Sequence, residues 1–116
     1  MNDSTPSGTG GGESELDAQH RVAAFLEAND LETGPSYRVL DLVSEVGEVA
    51  KEVNTSTNYG DDPEAVDIAR DEIGDTLFAL LALCVEADID AGAAFEEALE
   101  KYERRLDAGG SAGSGS

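Results

Sequence analysis

Apolar residues recur every three or four positions through most of the chain, which is the spacing of one face of a helix. No stretch alternates apolar and polar residues with a period of two, so the pattern predicts no strand. It predicts four helices, which run from near Ser14 to about Ala28, from Pro35, from Asp62–Pro63 to about Glu86, and from Asp90. We therefore expect an all-α domain, a four-helix bundle over residues 14–107.

Proline and aspartate mark three of the predicted helix starts. Pro35 suits the first position of the second helix, and Asp62 followed by Pro63 is typical of an N-cap and first position. Asp90 is expected to cap the fourth helix. The apolar seams expected to face the core are Val39, Leu42, Val46, Val49 and Val53, then Ile73, Leu77, Leu80, Leu81 and Cys84, then Phe95, Leu99, Tyr102 and Leu106. Residues 1–13 and 108–116 are rich in Gly and Ser and are predicted to be disordered tails.

The composition is strongly acidic. The 116 residues include 26 Asp and Glu against 7 Lys and Arg, for a formal net charge of −19. A nucleic-acid surface needs clustered Lys and Arg, so this balance argues against nucleic acid as a partner. It favours instead a halophilic protein adapted to a very salty cytoplasm, where screening removes most of the self-repulsion.

Cysteine usage and hydropathy indicate the cellular compartment. Cys84 is the single cysteine, so the chain has no intrachain disulfide and suits a reducing interior. The apolar run around it, "FALLALCV", is too short to span a bilayer, and the first residues show no basic-then-apolar signal pattern. We expect a cytoplasmic protein that does not contact a membrane.

Acidic residues line one face of the second predicted helix. In "LDLVSEVGEVAKEV", Asp41, Glu45, Glu48 and Glu52 are spaced at i, i+4, i+7 and i+11. Like charges at i,i+4 destabilise a helix by roughly 0.2–0.5 kcal/mol per pair. In so acidic a chain, however, such a stripe is also what a solvated surface would show.

The third predicted helix favours a metal site over a merely acidic surface. Its residues 73–85, "IGDTLFALLALCV", are apolar apart from Asp75 and a threonine, and a surface acid has little reason to begin such a run. Glu72 and Asp75 share one face, as do Glu45 and Glu48. If the two helices are antiparallel neighbours, four carboxylates meet and cannot all stay ionised unless a divalent cation joins them. Oxygen ligands without His or Cys indicate Mg²⁺ or Mn²⁺ rather than zinc.

Two glycines lie inside these acidic motifs. Gly47 and Gly74 each lower helix stability by about 1 kcal/mol relative to Ala. We expect that the two helices approach each other closely at these positions.

The segments "LDLVSEVGEVAKE" and "DEIGDTLFALLAL" together resemble the MazG-like nucleotide pyrophosphohydrolases. That all-α family carries a first Glu motif, a spacer and then ExxD. Here Glu45 and Glu48 match an ExxE motif and Glu72 and Asp75 match ExxD, while a serine precedes Glu45 where the family often has another Glu. The resemblance covers roughly residues 35–107 and includes the final helix, "FEEALEKYERRL".

The resemblance implies hydrolysis of a nucleoside triphosphate, ribo- or deoxyribo-, to the monophosphate and pyrophosphate. It implies Mg²⁺, or alternatively Mn²⁺, held by Glu45, Glu48, Glu72 and Asp75. Such an ion polarises phosphate oxygens and acidifies a bound water. Glu48 is also the expected catalytic residue, as a ligand and possible base for that water.

The positive residues near these motifs are the candidates for contacting substrate. Lys51, Lys101 and Arg105 are expected to bind the substrate phosphates, the last two because the final helix of the family approaches them. Asp41 and Glu52 lie outside the family motif and are interpreted as solvated surface.

Two other functions remain open. One is a phosphoribosyl-ATP pyrophosphohydrolase-like enzyme, which has a related fold. The other is a non-catalytic helical protein that serves in regulation or interaction. Because the third helix is apolar around more of its circumference than one neighbour covers, and because the family is oligomeric, we expect a homodimer or a dimer of dimers.

Overall fold

The computed structural model of the protein describes residues 16–109 as four α-helices and one short 3₁₀ turn. The elements are α1 (Asp17–Ala28), α2 (Pro35–Ser56), the 3₁₀ turn (Pro63–Ala65), α3 (Arg70–Glu86) and α4 (Ala91–Gly109). Residues 16–109 contain no strand, which confirms the all-α fold class. The expected N-terminal tail lies outside the described residues, as does most of the C-terminal one, but residues 108 and 109 continue α4. None of the helices within 16–109 has both the length and the apolar character that spanning a membrane requires.

Three of the predicted helix starts can be compared with the structure directly. The prediction for α2 is confirmed, because the helix begins at Pro35. The prediction for α4 is confirmed as well, since the amide of Ala93 donates to Asp90 Oδ1 at 3.1 Å as an N-cap requires. α1 begins at Asp17 rather than near Ser14, with Leu16 already outside the helix. The carboxylate of Asp17 lies in the first turn of α1, where a negative charge interacts favourably with the helix dipole.

The described residues form two compact units. Ala18–Asp88 contains nearly all of α1 together with α2 and α3, and the second unit contains residues 89–109 and so α4. In the larger unit, Phe25 of α1 and Phe78 of α3 pack edge to face with their ring centroids 5.9 Å apart. The buried apolar side chains come from the same two helices: Val22, Leu26, Ala79, Leu81, Ala82 and Cys84. Burial raises the pKa of the Cys84 thiol, as expected of a small core residue.

α2 and α3 are antiparallel neighbours. The beginning of α2 meets the end of α3, where Arg38 contacts Glu86. Near the other end of α2, Glu52 accepts a hydrogen bond from Ala69, the residue just before α3. This arrangement is the one that the metal-site interpretation required.

Glu86 ties the end of α3 to the start of α2. Arg38 Nε donates to Glu86 Oε2 at 2.8 Å, and the two side chains are only 6% and 7% exposed. Its carboxylate also accepts the amides of Thr33, at 3.1 Å, and Gly34. The hydrogen bond from Arg38, followed by those two amides, lowers the pKa of Glu86 below its ordinary value, against the opposing effect of burial. The guanidinium donates as well to the carbonyl of Leu31, so the buried ion pair binds three residues of the α1–α2 connection, Leu31, Thr33 and Gly34.

The predicted start of the third helix is wrong. Pro63 opens only the 3₁₀ turn, Val66 is extended at φ −54° and ψ 134°, and α3 begins at Arg70. Two side chains of α2 explain the difference, because they accept backbone N–H groups that a helix would have directed to its own carbonyls. These bonds run from the amide of Asp67 to Ser56 Oγ at 2.9 Å and from the amide of Ala69 to Glu52 Oε1 at 2.7 Å.

Burial of the predicted apolar seams is only partial. Leu81 and Cys84 of α3 are buried as expected. The seam residues that remain exposed in the single chain are Val39, Val46, Ile73, Leu77, Leu80, Phe95, Leu99, Tyr102 and Leu106. For α3 the reason is geometric, since α1 and α2 cover only part of its apolar circumference.

The expected close approach at the two glycines is wrong. A Cβ atom built at Gly47 or Gly74 would meet no atom of residues 16–109 within 4 Å, other than its own stretch of helix. Both positions are exposed, and Gly74 faces a cavity of about 340 Å³ between α1 and α3 rather than α2. Neither glycine therefore relieves crowding between α2 and α3.

We predict that Glu86→Gln lowers the melting temperature at neutral pH by several degrees, because it leaves the buried Arg38 without a counter-charge. Since the folded-state pKa of Glu86 is lowered, its contribution is complete above the unfolded value, about 4.3, and is lost as the pH falls through the folded value. The difference between wild type and variant should therefore shrink below that pH. Melting or urea unfolding followed by circular dichroism at several pH values measures it.

Glu32→Gln is the matched control, since Glu32 is exposed in the same connection. It should melt like the wild type throughout. Two results would contradict the role given to this ion pair. The Glu86→Gln variant could be as stable as the wild type at pH 7, or it could be destabilised equally at pH 7 and at pH 3.

Candidate metal centre

Three carboxylates from α2 and α3 converge where the two helices face each other. Glu45 comes from the middle of α2, Glu72 from the first turn of α3 and Asp75 from the next turn. One oxygen from each lies within 4.8 Å of the others. Glu45 and Glu72 are half-buried and Asp75 is exposed, so the group opens to solvent on one side.

This convergence is not a general property of an acidic surface. Among residues 16–109 it is the one group of three or more His, Cys, Asp or Glu side chains with ligand atoms this close together. Like charges held this close repel one another. The antiparallel packing of α2 and α3 brings these three together nonetheless.

The fourth predicted ligand, Glu48, lies outside this group. Its side chain is exposed on the turn of α2 that follows Glu45. It is still near the group, because its charge contributes to raising the pKa of both Glu45 and Glu72. The structure thus places Glu48 beside the three converging carboxylates rather than among them.

The electrostatics of the group are those of crowded like charges. Desolvation by burial is the largest cause that raises the pKa of Glu45, followed by the charges of Asp75, Asp41 and Glu48. Desolvation is also the largest cause that raises the pKa of Glu72, and the charge of Glu52 is the second largest. Both carboxylates therefore hold a proton more readily than an isolated glutamate, and a cation at this position would relieve the repulsion.

Oxygen donors at this separation suit a small divalent cation. Carboxylate oxygens are the ligands that Mg²⁺ and Mn²⁺ prefer. Two oxygens bound to one Mg²⁺ lie at most about 4.2 Å apart, twice the usual bond length. Ligand atoms within 4.8 Å of one another need only small side-chain movements to reach that arrangement. The residues present therefore fit such an ion.

The three predicted phosphate-binding residues occupy two units of the structure. Lys51 is exposed on α2, three residues after Glu48. Lys101 and Arg105 belong to α4, where both cations lie over the ring of Tyr102, at 5.0 Å and 5.9 Å from its centroid. Because they are four residues apart on one helix and contact the same ring, these two cations lie on the same side of α4.

Sequence reasoning missed the part that Glu52 plays beside this group. The sequence interpretation placed Glu52 on the solvated surface. In the structure it is half-buried, accepts a hydrogen bond from the amide of Ala69, and raises the pKa of Glu72 through its charge. The available signal was its spacing, since Glu52 continues the face that carries Glu45 and Glu48. Asp41, interpreted in the same way, is half-buried and contributes to raising the pKa of Glu45.

Comparison with known proteins identifies one family. The sequence matches the model of the family described as MazG nucleotide pyrophosphohydrolase domain over residues 34–109. The match contains α2, α3 and α4 entire, and with them every residue of the acidic group. No curated protein and no solved structure is similar enough to the chain to count as a match.

Proposed function

The chain belongs to the MazG nucleotide pyrophosphohydrolase family, and we propose that it is a Mg²⁺-dependent enzyme that hydrolyses a nucleoside triphosphate, ribo- or deoxyribo-, to the monophosphate and pyrophosphate. The observation that carries the proposal is the convergence of Glu45, Glu72 and Asp75 inside the matched residues. Mn²⁺ is the alternative ion, because it prefers the same oxygen ligands.

The three converging carboxylates are the proposed metal ligands. A bound Mg²⁺ would polarise the phosphate oxygens of the substrate and lower the pKa of a coordinated water. The α2–α3 packing contributes by holding the ligands in place before the ion arrives, so that little ordering remains to be done on binding.

Glu48 is the proposed general base. Its exposed carboxylate lies next to the ligand group without belonging to it, which leaves it available to orient water and accept a proton. The oxygen of that water forms a bond to the α-phosphorus as the bond between the α-phosphorus and the bridging oxygen breaks. Pyrophosphate leaves with the electron pair of the broken bond, and the proton of the water passes to Glu48.

Positive side chains are needed to hold a polyphosphate on so acidic a protein. Lys51 is on the same helix as Glu48 and is exposed, so it is the first candidate for contacting the phosphates. Lys101 and Arg105 on α4 are proposed for the same role, as the family resemblance implies. Each would offset part of the negative field that repels the substrate.

We predict Mg²⁺-dependent release of equimolar monophosphate and pyrophosphate from at least one nucleotide, in molar KCl. The panel contains common and oxidised ribo- and deoxyribonucleoside triphosphates together with phosphoribosyl-ATP, and chromatography of the nucleotide products reports the position of cleavage. Glu72→Gln removes a proposed ligand and Glu48→Gln the proposed base, so each should lower kcat about 100-fold or more. Glu64→Gln, an identical change at an exposed position of the 3₁₀ turn, should leave it unchanged.

The products separate the competing functions. Cleavage of phosphoribosyl-ATP alone would identify the related enzyme. Orthophosphate as the sole product, or no product from any nucleotide, would contradict the pyrophosphohydrolase proposal and favour the non-catalytic alternative. Full activity in Glu72→Gln would contradict the assigned metal centre.

We also propose that the protein is a homodimer or a dimer of dimers. An apolar groove of about 280 Å³ runs between α2 and α3, lined by Val46, Val49, Ile73, Thr76, Leu77 and Leu80. Val46, Ile73 and Leu77 are each 49% exposed in the single chain. A contiguous apolar surface of this kind usually marks an interface, and a second copy offers the same surface in return. The net charge of −19 opposes association, so salt should strengthen it.

We predict a mass of two or four chains by light scattering in molar KCl. Leu80→Gln should shift the mass toward one chain, because it places an amide in the groove. Leu40→Gln is the matched control: Leu40 is 69% exposed on α2 but does not line the groove, and its variant should keep the wild-type mass. A wild-type mass of one chain, with helical circular dichroism intact, would refute the interface.

A further inference from the structure

Glu52 makes a contact that its position on an acidic stripe does not explain. Its Oε1 accepts a hydrogen bond at 2.7 Å from the backbone amide of Ala69, seventeen residues along the chain. Ala69 is the N-cap residue of α3, and its methyl side chain cannot accept a hydrogen bond. A carboxylate from α2 therefore lies at the positive end of α3, where a negative charge is favourable.

The contact continues through one residue, Ala69, to the backbone of a proposed metal ligand. The carbonyl of Ala69 accepts hydrogen bonds from the amides of Glu72, at 3.1 Å, and Ile73, at 3.4 Å. The N–H group of Ala69 thus bonds to Glu52 of α2, and its carbonyl group bonds to the first turn of α3. Two hydrogen bonds connect the Glu52 carboxylate with the backbone of Glu72.

The segment before α3 depends on α2 for its course. Residues 66–69 belong to no helix or strand, and Val66 and Ala69 at the two ends of this segment have extended dihedral angles. Ser56 Oγ accepts the amide of Asp67 at 2.9 Å. At Ala69 the amide donates instead to Glu52, and α3 begins at the next residue, Arg70. Side chains of α2 therefore bind two backbone amides within the four residues that precede α3.

We propose that Glu52 is a positioning residue for the metal centre: it anchors the first turn of α3 to α2 so that Glu72 and Asp75 meet Glu45. The inference rests on the proposed metal-dependent function. Hydrogen-bonded groups behind metal ligands commonly change metal affinity by about 10–100-fold when removed. The anchor is specific to an acceptor at this position, not to negative charge in general.

Three variants separate anchoring from charge and from simple stability. Glu52→Ala removes both the acceptor and the charge, whereas Glu52→Gln keeps a carbonyl acceptor and removes only the charge. Asp41→Asn removes one charge from the same face of α2 and so measures the effect of charge alone. For each full-length protein in molar KCl, calorimetric titration gives the Kd for Mg²⁺, amide hydrogen exchange reports on Ala69, and melting reports on stability.

We expect Glu52→Ala to raise the Kd for Mg²⁺ about tenfold and to speed exchange of the Ala69 amide. Glu52→Gln should keep that amide protected and bind Mg²⁺ as Asp41→Asn does. Equal weakening in Glu52→Ala and Glu52→Gln would assign the effect to charge and overturn the proposal. A Glu52→Ala variant that melts earlier yet binds Mg²⁺ like Asp41→Asn, or whose Ala69 amide exchanges as in the wild type, would overturn it as well.

The wild type separates this proposal from the one on which it rests. If it binds no Mg²⁺, the metal-dependent function fails and the positioning role fails with it. If it binds Mg²⁺ but the Glu52 variants show one of the overturning patterns, the positioning role alone is refuted.

Discussion

The packing of α2 against α3 is the interaction on which the rest of the structure depends. It is fixed near both ends by a glutamate that crosses from one helix to the other: Glu86 of α3 binds the start of α2, and Glu52 of α2 binds the start of α3. These two contacts set the register of α2 against α3, and between them the carboxylates of Glu45, Glu72 and Asp75 converge. Helix packing thus holds together charges that would otherwise separate.

That arrangement has an energetic cost in the metal-free protein. Desolvation and neighbouring acids raise the pKa of Glu45 and Glu72, which means that the folded chain destabilises their charged forms. A divalent cation reverses the sign of the interaction, because each carboxylate then has an opposite charge beside it. The crowding of carboxylates that lowers the stability of the metal-free protein would therefore favour metal binding. Charged groups with shifted pKa values are common at functional sites for this kind of reason.

Local signals in the sequence predicted local features of the structure. Pro35 and Asp90 define helix starts through their own backbone and side-chain chemistry, and those predictions are confirmed. The start at Pro63 failed because Ser56 and Glu52 capture amides at a distance in the chain that no local rule covers. Spacing placed the acids on facing helices, but it could not show that Glu48 lies beside the group. The Arg38–Glu86 pair, separated by 48 residues, had no sequence signal at all.

Thermal melting with and without Mg²⁺ at matched ionic strength, for the wild type and Asp75→Asn, tests the central claim most directly. At 100 times its Kd, Mg²⁺ should stabilise the wild type by about 2.7 kcal/mol, a rise of roughly 10 °C or more in melting temperature. Without metal, Asp75→Asn should melt no lower than the wild type, because it loses one of the crowded charges, and Mg²⁺ should stabilise it much less. Asp61→Asn, an identical change in the exposed α2–α3 connection, should respond as the wild type does. A wild type indifferent to Mg²⁺, with an Asp75→Asn variant that melts earlier, would show that these acids are structural and hold no metal.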